Sequence, residues 1–90
     1  MKIKVPTTIE MEYPNPAYFK SETGKKFFKV REIDGELVCD TIYLSDSYCS
    51  YSSNSSMSPQ DIVNATEIED VEYKRAWREI GERMVKDLDK

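Results

Sequence analysis

Between Ile3 and Tyr13 the odd positions read Ile, Val, Thr, Ile, Met and Tyr, and the even ones Lys, Pro, Thr, Glu and Glu. Strict alternation of this kind predicts a half-buried strand. Pro6 has no N–H to give a ladder, so it marks an edge strand or a break near residue 6. The Pro14-Asn15-Pro16 triplet ends the segment.

Two apolar runs follow, Ala17–Ser21 and Lys26–Ile33, separated by a connector that contains Gly24. This spacing predicts a hairpin. Asp34-Gly35 between β-prone runs predicts a second, tighter hairpin with a two-residue type I′ turn. Its register would set Ile33 opposite Glu36, Val30 opposite Cys39, Lys29 opposite Asp40 and Phe28 opposite Thr41. Lys29 and Asp40 would then form an opposite-charge cross-strand pair. Both faces of this hairpin are apolar. Phe28, Val30, Leu37, Cys39 and Tyr43 lie on one, and Phe27, Val38, Ile42 and Leu44 on the other.

The C-terminal pattern changes period. Tyr73, Ala76, Trp77, Ile80 and Met84 recur at helical spacing, which predicts an amphipathic helix over 70–88. Thr66-x-x-Glu69 fits a capping box, and Asp70 is a second candidate cap. Glu69, Asp70 and Glu72 favour the positive end of the helix. Glu79–Arg83 and Glu82–Lys86 are suited to i,i+4 ion pairs. Gly81 weakens the helix and is read as a point of close approach by a strand. Upstream, Ser58-Pro59-Gln60-Asp61 predicts one helical turn, followed by an extended stretch near residues 63–66.

Residues 45–59, SDSYCSYSSNSSMSP, join the two halves. Serine and asparagine favour turns because their side chains compete for backbone hydrogen bonds. The stretch lacks glycine and carries Tyr48, Cys49 and Tyr51, so its first part reads as a short polar strand. Residues 52–58 are expected to be a mobile loop and a contact surface.

The fold class predicted is α+β in one domain spanning 1–90. A strand-rich body over 2–53 would form an antiparallel meander of four to six strands, with the helix 70–88 packed on one face. The expected core is Ile9, Met11, Phe28, Val30, Leu37, Trp77, Ile80 and Met84. A chain of 90 residues buries roughly 60–65% of its unfolded surface, so this core is small.

Composition narrows the chemistry. Six Tyr, three Phe and one Trp supply a core of large rings. Thirteen basic and seventeen acidic residues leave a net charge of −4, which disfavours nucleic-acid phosphates. The Lys/aromatic mixture over 24–31 resembles a single-strand binder's pattern, but reads more simply as a strand with a solvated basic edge. No histidine is present, which removes the commonest general base and zinc ligand. The two cysteines, Cys39 and Cys49, have neither CxxC nor zinc-site spacing. Three glycines cannot make a phosphate-cradling loop. Glu67, Glu69, Asp70 and Glu72 read as helix-start acids rather than a metal cluster. No cofactor, metal or catalytic residue is assigned.

The first thirteen residues lack the apolar run of a secretory signal, and no segment approaches the ~20 apolar residues of a membrane span. The expectation is a cytoplasmic protein with reduced thiols and no membrane contact. A strand-rich body followed by one capped helix is a layout similar to that of many small proteins of bacteriophages and mobile elements. The likeness is one of layout and rests on no motif. It implies an inhibitor that blocks a larger host protein, or a protein that sequesters a small molecule.

One helix covers only one face of a small sheet, so the second apolar face is expected to meet a partner or a second copy. The leading expectation is therefore a non-enzymatic protein acting through protein–protein contacts, homo-oligomers included. Its surface would comprise Phe27, Ile42, Leu44, Tyr48, Tyr51 and Asn54. The alternative is a binder of a small, nucleotide-like molecule that uses Tyr48 and Tyr51 with the neighbouring hydroxyls.

Overall fold

A computed structural model describes residues 1–4, 10–56 and 62–88. Seven strands precede one helix: β1 (Lys2–Lys4), β2 (Glu10–Glu12), β3 (Ala17–Lys20), β4 (Lys26–Ile33), β5 (Glu36–Leu44), β6 (Cys49–Ser56), β7 (Thr66–Ile68) and α1 (Asp70–Leu88). β1 and β2 form an antiparallel pair. The other five form an antiparallel sheet in the order β6-β5-β4-β3-β7, and α1 packs on it. The architecture is α+β.

The β4–β5 hairpin takes the register that Asp34-Gly35 dictates. Val30 faces Cys39, Lys29 faces Asp40 and Phe28 faces Thr41. Asp34 and Gly35 both have positive φ, 53° and 82°, as a type I′ turn requires. The helix also runs over the predicted span, with Glu79 and Arg83 paired at 3.1 Å. The side chain of Lys86, and so the expected Glu82–Lys86 pair, lies outside the described residues.

Four expectations are corrected. Residues 3–13 are not one strand, because Ile3 pairs with Met11 and the chain reverses between β1 and β2. Residues 52–56 are not a loop, because they continue β6 as far as Ser56. Their backbone finds its hydrogen bonds on β5, which outweighs the turn preference of serine. The expected turn at 58–61 lies outside the described residues, as does residue 57. Thr66 is not a cap, since it sits in β7 opposite Lys20. Asp70 starts the helix instead, its carboxyl held below the usual value mainly by the Lys74 ammonium and also by the Val71 N–H.

The fourth correction concerns the core. The sheet buries two clusters, one on each face. Ile3, Ala17, Phe19, Phe28, Val30, Cys39 and Ile62 fill one, where Ile3 of β1, Tyr13 after β2 and the turn at Ile62 cover the sheet. Phe27 and Ile42 fill the other together with Tyr73, Ala76 and Ile80 of α1. The helix therefore covers the Phe27/Ile42 face, and the face of Phe28 and Val30 is covered by β1 with its flanking residues and by the turn at Ile62. Of the expected core, Phe28, Val30 and Ile80 are buried and Leu37 is half-buried. Met11 (46% exposed), Trp77 (47%) and Met84 (44%) are not core residues. Ile9 lies outside the described residues. The buried arc of α1 is centred on Ala76 and Ile80, and Trp77 falls on its margin, against Tyr51 of β6. Gly81 meets no strand: a Cβ built there has no atom within 4 Å.

Candidate functional site

The six residues expected to form one surface divide into two groups. Phe27 and Ile42 are buried beneath α1 and offer no surface. Leu44 is half-buried at the margin of the same cluster. Tyr48, Tyr51 and Asn54 are exposed, and they lie along β6 and the turn before it. The surplus apolar face that motivated a partner is already covered within the chain. Any contact surface must lie elsewhere.

Tyr48 and Tyr51 do not converge. Tyr48 lies in the β5–β6 turn, its ring 5.8 Å from that of Tyr43. The turn is fixed by Ser45, whose N–H donates to the Tyr48 carbonyl and whose hydroxyl accepts from the Tyr48 N–H. The guanidinium of Arg83 donates to the Ser45 carbonyl and ties α1 to this turn. Tyr51 lies on the helix face of β6, opposite Ile42, and stacks on Trp77 with ring centroids 4.5 Å apart.

Alternation along the strands puts one row of side chains across the helix face of the sheet. Tyr18 of β3 pairs with Lys29 of β4, which pairs with Asp40 of β5. Tyr73, Lys74 and Trp77 of α1 lie above that row, and Tyr51 closes its β6 end. Together these seven residues line a cleft of about 200 Å³. The Tyr18 and Tyr73 rings are 5.3 Å apart. Burial raises the pKa of the Tyr73 hydroxyl. Burial, and then the negative charge of Asp40, raises that of Tyr51.

Asp40 is the buried polar residue of the described core, 7% exposed. The expected Lys29–Asp40 ion pair is absent although the register is right. Arg31, two residues along β4 on the same face, takes the carboxylate instead, with Nη2 3.0 Å from Oδ1. The same Oδ1 accepts the backbone N–H of Asn54 at 3.0 Å, and the Asn54 side-chain oxygen accepts from Arg31 at 2.6 Å. Asn54 has φ 55° and sits where the β5–β6 register slips between Cys39 and Thr41. Asp40 and Arg31 therefore pin a β-bulge, where a residue that tolerates the left-handed region is required. Among the described residues Lys29 makes no ion pair.

β6 is an edge strand of eight residues with no charged side chain. The opposite edge, β7, has three residues and carries Glu67. Trp77, Met84 and Val85 are exposed on α1, with Trp77 already against β6. A groove of about 630 Å³ lies beside them, lined by Arg78, Gly81, Glu82 and Val85.

Other candidate chemistry is dispersed. Of the four acids near the helix start, Glu67 lies on β7, Asp70 pairs with Lys74 and Glu72 pairs with Lys20. Among the described residues no three His, Cys, Asp or Glu side chains are grouped as a metal site needs. Cys39 and Cys49 lie on opposite faces of the sheet and are not joined to each other. No described helix is long and apolar enough to cross a membrane. Comparisons with protein-family models, curated proteins and solved structures return no match.

Sequence reasoning placed Tyr51 at the site and missed its neighbours. Trp77 was assigned to the core because it fits the helical period. It lies at the edge of the stripe, 47% exposed, and its ring meets Tyr51 of β6 instead of the sheet. Lys29 and Asp40 were visible as a cross-strand pair, but not as lining a cleft.

Proposed function

We propose that this is a non-enzymatic binding protein that takes an extended segment of a partner protein along β6. The observation that carries the reading is the uncharged edge of β6 beside Trp77, which stacks on Tyr51, with Met84 and Val85 exposed further along the same helix. Natural sheets shield their edges with charge, proline, short strands or bulges. Here the bulge at Asn54 interrupts only the far half of the strand. Over residues 49–52 the outward backbone groups of β6 supply hydrogen bonds, and the helix flank supplies apolar contact for alternate side chains of an added strand. Trp, Tyr and Met are residue types enriched at interfaces. Occlusion of a larger protein's surface, as an inhibitor would require, needs no more than such a contact.

The test is selection of displayed peptides on the immobilised protein. Extended peptides with alternating apolar residues should be enriched. Their binding should fall at least tenfold on the double variant Met84→Glu/Val85→Glu, which alters exposed side chains and leaves the melting temperature unchanged. Enriched peptides that bind the double variant equally well would place the contact elsewhere. Sedimentation of the wild type distinguishes a second copy of the chain as the occupant.

A further inference from the structure

The cleft under the first half of α1 carries a separate inference, which does not rest on strand addition because Met84 and Val85 do not line it. Four aromatic side chains, Tyr18, Tyr51, Tyr73 and Trp77, surround a space that contains a half-buried lysine. Lys29 is held there by pairing of its backbone on both sides, to Tyr18 and to Asp40. The carboxylate opposite it is already engaged by Arg31. An ammonium group taken partly out of water without a counter-charge is unfavourable, and an anion at the site relieves it. Lys74, more exposed and bonded to Asp70, adds a second positive group at the cleft. Asp40 lines the cleft as well, so its carboxylate offers an acceptor to an N–H of the ligand.

We propose that this cleft binds a planar heteroaromatic ring that bears an anionic group, the ring among the four aromatic side chains and the anion on Lys29 and Lys74. The size of the cleft limits the ligand. About 200 Å³ admits one ring system, less than the ~300–1,000 Å³ of pockets that enclose drug-sized molecules. Stacking on aromatic side chains is tolerant of ring identity, so the anion and the Asp40 acceptor supply the selectivity. A phosphate on a nucleobase-type compound and a carboxylate on a heterocycle share this chemistry.

Trp77 is the only tryptophan in the chain and reports on the cleft directly. Its fluorescence is followed during titration with adenosine monophosphate, orotate, adenosine and inorganic phosphate, and calorimetry reads the same titrations independently. One of the first two should bind saturably, and which one does identifies phosphate or carboxylate as the anion. Adenosine and inorganic phosphate should each bind at least tenfold more weakly than that ligand. Lys29→Met keeps the aliphatic stem and should weaken binding about tenfold to a hundredfold, as loss of a charge-assisted hydrogen bond does. Circular dichroism checks that this variant is folded, and Lys2→Met, away from the cleft, should leave binding unchanged. The proposal is overturned if neither anion saturates at millimolar concentration. It is equally overturned if inorganic phosphate binds as well as the ring compounds, or if folded Lys29→Met binds undiminished.

Discussion

Ile42 decides whether the second sheet face is core. It is 0% exposed and lies at the centre of the cluster with Phe27, Tyr73, Ala76 and Ile80. Ile42→Ala removes three buried carbon atoms and leaves a cavity between sheet and helix. Such truncations cost about 2–5 kcal/mol, and the tight surroundings of Ile42 put the expected loss near 3 kcal/mol. A domain of this size has a total stability of roughly 5–13 kcal/mol, so the variant should remain folded at low temperature. The same loss should lower Tm by about 12–24 °C. Ile42→Val removes one methylene and should lose about 0.5–1.5 kcal/mol, giving a graded pair. The assay is urea unfolding followed by circular dichroism, with the slope m unchanged across the series. Val85→Ala, on the exposed helix flank, should shift stability by less than about 0.5 kcal/mol. A loss below about 1 kcal/mol for Ile42→Ala, or a change of oligomeric state with stability intact, would refute the packing described. The Phe27/Ile42 face would then be a contact surface after all.

Three further outcomes are expected. Asp40→Asn removes the charge that Arg31 faces and loosens the bulge at Asn54; breaking a buried pair costs about 3–5 kcal/mol, and the partial exposure of Arg31 reduces this to about 2–3 kcal/mol in urea unfolding. Gly81→Ala, in an exposed helix position with open space around it, should stabilise the protein by about 0.5–1 kcal/mol. The raised pKa of Tyr73 gives a pH dependence whose sign follows from linkage. Stability is intact below the ordinary tyrosine pKa of about 10 and is lost as pH rises through the higher folded value, because only the unfolded chain releases the proton. Tyr73→Phe should flatten the fall in stability above about pH 10 by up to ~1.4 kcal/mol per pH unit, and an unchanged slope would show that Tyr73 is not buried as described.

The parts of the fold legible in the sequence were those set by local chemistry. Asp34-Gly35 determines a turn, the turn determines a register, and Lys29 comes to lie opposite Asp40. The helix was legible because its apolar period and its acidic first turn are both local. The parts that were not legible depend on choices between distant elements. Both faces of β4 and β5 alternate equally well, and nothing local says that α1 takes the Phe27 face while Ile3 and Ile62 take the Phe28 face. The antiparallel pairing of β1 with β2 was obscured by an alternation that one long strand would also show, with Pro6 the sign of a break. β6 was only half legible, since polar serines join a strand here through backbone pairing with β5 rather than through their side chains. The cleft was least legible of all. It needs Tyr18, Lys29, Asp40 and Tyr51 aligned across four strands, with Trp77 displaced from the core toward β6.

The most direct test of the account is amide hydrogen exchange, resolved by residue, along β6 of the unmodified protein. The Leu44 N–H donates to Lys25 on the β4 side, so alternation turns Tyr43 and Thr41 toward β6 and makes Ser50 and Ser52 its inward amides. Protected Ser50 and Ser52 amides, with Cys49 and Tyr51 exchanging freely, are the predicted result: a formed strand with an open edge. Protection at all four would show that another chain already covers the edge. Exchange at all four would show that β6 is not a strand, and the proposed contact surface would be lost with it.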